Sequence, residues 1–365
     1  MSKISNLAGN AILAKARAMS AGLLTDEDYT SLINCRNVNE VVSYLRTNTV
    51  YSGAQTLAST TSFSKSRTES EIRRFNYGRI AKLASFEKAI GQRMNELVFL
   101  NYDISLILSC ADRLSKNSIS KLSLFAPEAY YKRSELNRIA LESATNFNEL
   151  YAALEGTRYQ HILDIFKNTN TEFTITALEN ALYRYLCDCA EKIIKKEYSG
   201  DVSKELTKIL MMKADFKMIE SIYRMKKYFP KQPCNYETVF YSSFSAFSKD
   251  EILSLLSCTD TDAVFDIFKK SVYGKFVDES LKNNIEKCTH CAMQKINRKN
   301  LLFSTAPEVV MFSYIGILEN ETKNIVMITE GVDYSLPPEE ISEFLIRGEK
   351  FLKGDKNGNR KNGAC

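Results

Sequence analysis

The stretch LINCRNVNEVVSYL, Leu32 to Leu45, recurs twice without a gap, as LESATNFNELYAAL from Leu141 to Leu154 and as LLSCTDTDAVFDIF from Leu255 to Phe268. Each window opens on a Leu, crosses a short polar stretch with Asn or Thr/Asp, and closes on an apolar helical segment. A Tyr follows five or six residues later, at Tyr51, Tyr159 and Tyr273. The copies are offset by 109 and 114 residues, so a unit of roughly 110 residues is used three times. A second anchor agrees. Asp103, Asp215 and Glu321 each stand four residues before an Ile (Ile107, Ile219, Ile325) within an apolar helical stretch, at offsets of 112 and 106. The reading is an all-α fold of three pseudo-repeated helical lobes. Its boundaries fall at residues 1–125, 126–235 and 236–350, with a disordered tail at 351–365.

Composition agrees with helices. Only 14 Gly and 6 Pro occur in 365 residues, 44% of the residues are hydrophobic and 25% are charged, and alternating β-branched runs are scarce. The net charge of +5 is too mild to indicate a nucleic-acid partner. Pairs such as Arg73-Arg74, Lys195-Lys196 and Lys226-Lys227 are interspersed with acids and read as solvated helix faces. Nine Cys at irregular spacing, with no leader read at the N-terminus, suggest reduced thiols in a cytosolic protein. No run of eighteen apolar residues is present, so no membrane span is expected.

Along the chain, Ile4 to Leu23 carries a helical apolar stripe ending near Gly22. Thr25, Asn37 and Ser248 read as helix caps. Ser52 to Thr68 reads as a loop. The run from Glu69 to Leu114 would span roughly 70 Å as one helix, so a break near Gly91 or Asn95 and a pair of antiparallel helices are expected. The second copy predicts short helices from Ser134 to about Leu163, then long ones over Ile175–Tyr198 and Val202–Tyr228, stopped by Pro230 and Pro233. The third predicts long helices over Asp278–Asn297 and Ala306–Ile328.

Chemistry is sparse. Neither His161 nor His290 has a nucleophile beside it that would form a triad. Cys288-Thr289-His290-Cys291 lacks the second ligand pair that structural zinc needs and reads as a partly buried helix face. Cys187 and Cys189 likewise lie within a helix. Common nucleotide-binding and zinc-protease motifs are missing. Catalytic, cofactor and metal residues are therefore assigned to none. The repeated acids Asp103, Asp215 and Glu321 mark a repeated local structure: a bond between helices, or contact with a shared central surface, paired if buried. Tyr51, Tyr159 and Tyr273 read as packing anchors with the hydroxyl on a local partner, or alternatively as residues lining a central hole.

Residues 5 to 350 also resemble a known family. Arg17-Ala18-Met19, Leu23-Leu24, Asp28-Tyr29 and the ending Leu45 to Tyr51, with Leu318 to Ile325 later, are similar to the central-stalk component of V-type and A-type ATPases. That component is called C in bacteria and archaea and d in eukaryotes. The resemblance implies a non-enzymatic, cofactor-free, all-α funnel of three lobes around a pseudo-threefold axis, on the cytoplasmic face of the membrane. It would seat the D and F subunits of the shaft on the proteolipid rotor ring and pass torque for proton or sodium transport. The alternative is an unrelated helical-repeat scaffold for protein partners.

Overall fold

The computed structural model describes residues 3–54, 65–89, 94–116, 130, 134–168, 174–236 and 238–347. Among these the fold is all-α, with fifteen α-helices and no strand. The first part holds α1 (Lys3–Ser20), α2 (Asp26–Ile33), α3 (Val38–Asn48), α4 (Lys65–Ala89) and α5 (Met94–Ser115). The middle part holds α6 (Arg138–Ser143), α7 (Phe147–Ala153), α8 (Gln160–Asn168), α9 (Ile175–Glu197) and α10 (Gly200–Tyr228). The last part holds α11 (Lys249–Ser257), α12 (Thr261–Lys270), α13 (Ile285–Phe303), α14 (Pro307–Asp333) and α15 (Pro338–Phe344).

The repeated windows fold alike. Five residues into each, a side chain caps the helix that follows: Asn37 accepts from Glu40 N at 3.0 Å, Asn146 from Glu149 N at 3.0 Å, and Asp260 from Ala263 N at 2.9 Å. These bonds satisfy amides that a helix start leaves orphaned. The first and last residues of every window, Leu32/Leu45, Leu141/Leu154 and Leu255/Phe268, are completely buried. Thr25 and Ser248 open α2 and α11 with capping boxes.

Two long helices come from each part. Tyr77 of α4 meets Tyr102 of α5 with ring centroids 5.0 Å apart. Twenty-five residues of continuous helix would separate them by roughly 38 Å, so the chain reverses between them, as the length argument required. Gly91 itself lies outside the described residues. In the middle part the reversal takes only Tyr198 and Ser199, followed by Gly200 at φ +63°, a left-handed conformation that Gly adopts at little cost. Lys217 then lies back on Glu179 at 2.6 Å. Helix α14 is the central post, with twenty of its 27 residues buried. A helix apolar all round belongs inside a fold. Gly316 lets it approach α13 closely, because a Cβ there would sit 2.4 Å from Asn297 Nδ2.

Several boundaries differ from the sequence reading: α8 runs on to Asn168 and α14 to Asp333, past the expected Leu163 and Ile328. The loop expected to Thr68 ends earlier, because α4 already runs from Lys65; Thr68 is fully buried and Lys65 pairs with Glu330. Residues 55–64 of that loop lie outside the described residues, as does the tail at 351–365. Helix α13 begins at Ile285 rather than Asp278. Asp278 instead caps the short 3-10 turn Glu279–Leu281, and Asn284 supplies the helix cap. At the other end Arg17 donates to the carbonyls of Leu301 and Ser304 at 3.1 and 2.7 Å, which holds α13 to Phe303.

Candidate partner-binding cavity and three tyrosine–carboxylate clasps

The two sets of repeated residues meet. Tyr51 donates to Glu321 at 2.9 Å, Tyr159 to Asp103 at 2.6 Å, and Tyr273 to Asp215 at 2.5 Å. All six residues are buried. The rings are packed as the sequence suggested, but the hydroxyl partner is not local: it lies on the long helix that precedes the tyrosine's own repeat, and for Tyr51 on the last long helix.

Each tyrosine is aimed by the same local device. Two residues before it, Thr49, Thr157 or Ser271 accepts the tyrosine N–H at 3.2, 3.3 or 3.2 Å. The same hydroxyl donates to the carbonyl of Leu45, Leu154 or Phe268 at 2.6, 2.6 or 2.7 Å. Such hydroxyl turns fix the chain where the helix stops. Sequence reading missed this Ser/Thr-x-Tyr triplet, although it follows every window.

Each carboxylate also takes a donor from the start of the same short-helix pair. Asp103 accepts the hydroxyls of Ser134, at 2.7 Å, and Tyr130. Asp215 accepts the hydroxyl of Ser245 and the N–H of Ala246, the latter at 3.0 Å. Gly22 stands where Ser245 does, fifteen residues before the cap, and has no hydroxyl to offer. There the longer Glu321 reaches the backbone N–H of Leu24 at 2.6 Å. Every acid thus holds both ends of a helix pair, α2–α3, α6–α7 or α11–α12. Glu321 has in addition the Arg79 guanidinium at 3.9 Å, and Asn76 bonds the Tyr51 hydroxyl at 2.9 Å.

Burial raises the pKa of all three acids against the pull of these donors: Asp215 to about 6, Glu321 to about 7, and Asp103 upward as well. The burial of a charge, partly offset by charge-assisted hydrogen bonds, is the cause.

The long helices also line an open cavity of about 400 Å³. Its wall takes Arg73 and Asn76 from α4, Tyr102 from α5, Tyr183 from α9, Lys213, Lys217 and Glu220 from α10, His290 from α13, and Glu319 and Lys323 from α14. An apolar pocket of about 130 Å³ adjoins it, with Leu97, Leu186, Leu210, Phe240, Phe244 and Phe312 in its wall. Tyr183, Lys213, Lys217 and Glu319 line both. Sequence reading did not single out these lysines. Their place within helices that are apolar on several faces was the available signal.

Of the tetrad Cys288 to Cys291, Cys288 and Cys291 are buried in the α13 packing and burial raises both thiols, Cys288 to about 11. His290 turns to the cavity, 3.4 Å from the Lys323 ammonium. Burial and that cation depress its pKa to about 3, which keeps the ring neutral. No group of three or more His, Cys, Asp or Glu is placed to hold a metal among the described residues. His161 packs its ring on Tyr185 at 5.3 Å, and Cys187, raised to about 11 by burial, lines the apolar pocket.

Among the described residues of this wall no nucleophile is paired with a base. Comparison with known families then decides the class: the model of the ATP synthase (C/AC39) subunit matches residues 12–344. The chain belongs to the ATP synthase C/AC39 subunit family. This is the V- and A-type ATPase family that the sequence resembled. None of the curated proteins gives a match. The all-α architecture fits the family, and no helix among the described residues is long and apolar enough to cross a membrane. Membership makes the chain a component of an ion-transporting rotary ATPase or ATP synthase.

Proposed function

We propose that this C/AC39 family member is the non-catalytic central-stalk adaptor of its enzyme, seated on the cytoplasmic face of the membrane. It joins the shaft formed by the D and F subunits to the proteolipid rotor ring and passes torque between them. The observation that carries this reading is the threefold use of one clasp. Three short-helix pairs are fixed to three long helices by the same buried Tyr–carboxylate bond, and those long helices surround one cavity. A body with three such clasps offers a ring a broad footprint and a shaft an axial seat. Torque transmission needs stiffness, and close-packed long helices with buried charge-assisted bonds provide it.

A bridging experiment tests the reading. Purified chain is mixed with solubilised rotor ring and with the shaft complex of the same enzyme. The expected result is a ternary assembly on size exclusion that ring and shaft do not form without the chain. Failure to bind either component refutes the adaptor role.

A further inference from the structure

The apolar pocket and the polar cavity share a wall, and the charged groups along it are unevenly paired. Lys213 has no hydrogen bond or ion pair among the described residues, whereas Lys323 meets His290 at 3.4 Å and lies in the field of the Glu319 and Glu220 carboxylates. The other two cations of the cavity are committed, Arg73 to Glu69 at 2.9 Å and Lys217 to Glu179 at 2.6 Å. Of the acids, Glu220 takes the Thr289 hydroxyl and Glu319 has no such partner among the described residues. Glu319 and Glu220 therefore serve Lys323, and Lys213 is the cavity cation left without an acidic partner among the described residues. Covering Lys213 without adding negative charge would bury an unpaired cation, which is costly.

We propose that the joined cavity seats a protein tip carrying one aromatic or branched apolar side chain beside a carboxylate. This rests on the reading of the chain as a shaft seat, and it specifies what the end of the shaft presents. The apolar pocket, at about 130 Å³, is slightly smaller than the roughly 150 Å³ cavity known to take up benzene. It admits a single ring or branched side chain and excludes a long acyl chain, so a protein anchor fits and a lipid does not. Lys213 borders both compartments, which places the partner's carboxylate within a residue or so of its apolar anchor. The pattern is that of an interface hot spot, an apolar plug in a pocket with a charge pair at its rim.

Three variants test this by calorimetry of the full chain against the purified shaft complex. Leu210→Phe fills the pocket, Lys213→Glu reverses the charge, and Lys213→Gln only removes it. Leu210→Phe is expected to weaken shaft binding at least about tenfold at any ionic strength. Lys213→Glu is expected to weaken it as much, Lys213→Gln less, and both should flatten its salt dependence. All three should keep the wild-type melting behaviour and ring binding. If the wild type binds the shaft and folded Leu210→Phe and Lys213→Glu bind it equally well, the tip chemistry is refuted while the adaptor reading stands. If the wild type does not bind the shaft, the adaptor reading fails and takes this proposal with it. A small anion found by native mass spectrometry on the wild type and lost from variants of unchanged shaft affinity would also overturn it.

Discussion

Removing one oxygen atom from each clasp is the most direct test of what holds the molecule together. In Tyr51→Phe, Tyr159→Phe and Tyr273→Phe the ring still fills its buried site, so the change isolates the hydroxyl. A hydrogen bond to a charged acceptor contributes about 1.5–3 kcal/mol, and each of these bonds ends on a buried carboxylate. Asp103 would keep Ser134 and Tyr130, and Asp215 would keep Ser245 and Ala246 N. Each of those two variants should therefore cost about 2 kcal/mol. Tyr51→Phe should cost more, about 3 kcal/mol. It leaves Glu321 with Leu24 N and an arginine at 3.9 Å, and it also removes an acceptor from Asn76. Urea unfolding at pH 8, where the acids are ionised, measures all three. Tyr273→Phe with Asp215→Asn closes a double-mutant cycle whose coupling should fall in the range of about 0.5–3 kcal/mol. Three phenylalanine variants within about 0.5 kcal/mol of wild type would show that the clasps are incidental to stability.

Two further outcomes follow from the same residues. Glu321 has a folded pKa of about 7 against an ordinary 4.5, so its contribution is complete below 4.5 and is lost as pH rises through about 7. The stability of wild type relative to Glu321→Gln should thus decline between pH 4.5 and 7.5, by on the order of 3 kcal/mol; a pH-independent difference in urea titrations would contradict the burial argument. Leu45→Ala, Leu154→Ala and Phe268→Ala each empty a completely buried position and should cost about 2–5 kcal/mol, and a near-neutral result at any one would break the equivalence of the three windows.

The local half of this design could be read from sequence. Windows that align in one dimension bury the same positions and cap the same helices, because caps and helical spacing are encoded within a few residues. The acids were recognised as structural for the same reason, since their recurrence argued against a unique reaction centre. What the sequence hid is the pairing. Tyr159 and Asp103 are 56 residues apart, Tyr273 and Asp215 are 58, and Tyr51 and Glu321 are 270. Contacts of that separation depend on how whole helices pack, which no local pattern reports. The Ser/Thr-x-Tyr triplets were legible in principle but inconspicuous one at a time. The cavity lysines were harder still. Lys213 and Lys323 look like ordinary surface charges until six long helices are seen to bring them to one cavity wall.

The pairing has a consequence for how the three parts cohere. A clasp never joins a short-helix pair to the long helix of its own sequence repeat. Tyr159 reaches back to Asp103 across the boundary drawn near residue 125, Tyr273 reaches back to Asp215 across the one near 235, and Tyr51 takes the last acid, Glu321. In an open repeat array the terminal units present uncovered faces and need special caps. Here the first helix pair covers the last long helix, so the chain's two ends serve as each other's cap. The change of residue type at the third clasp fits that closure. The first repeat has Gly22 where the third has Ser245, and the carboxylate that must reach past the missing hydroxyl to Leu24 N is the one built with an extra methylene. In an adaptor between shaft and ring, a load on one part would then pass to the next through a buried bond to a rigid helix rather than through a connecting loop, and this is the mechanical property that the proposed role requires.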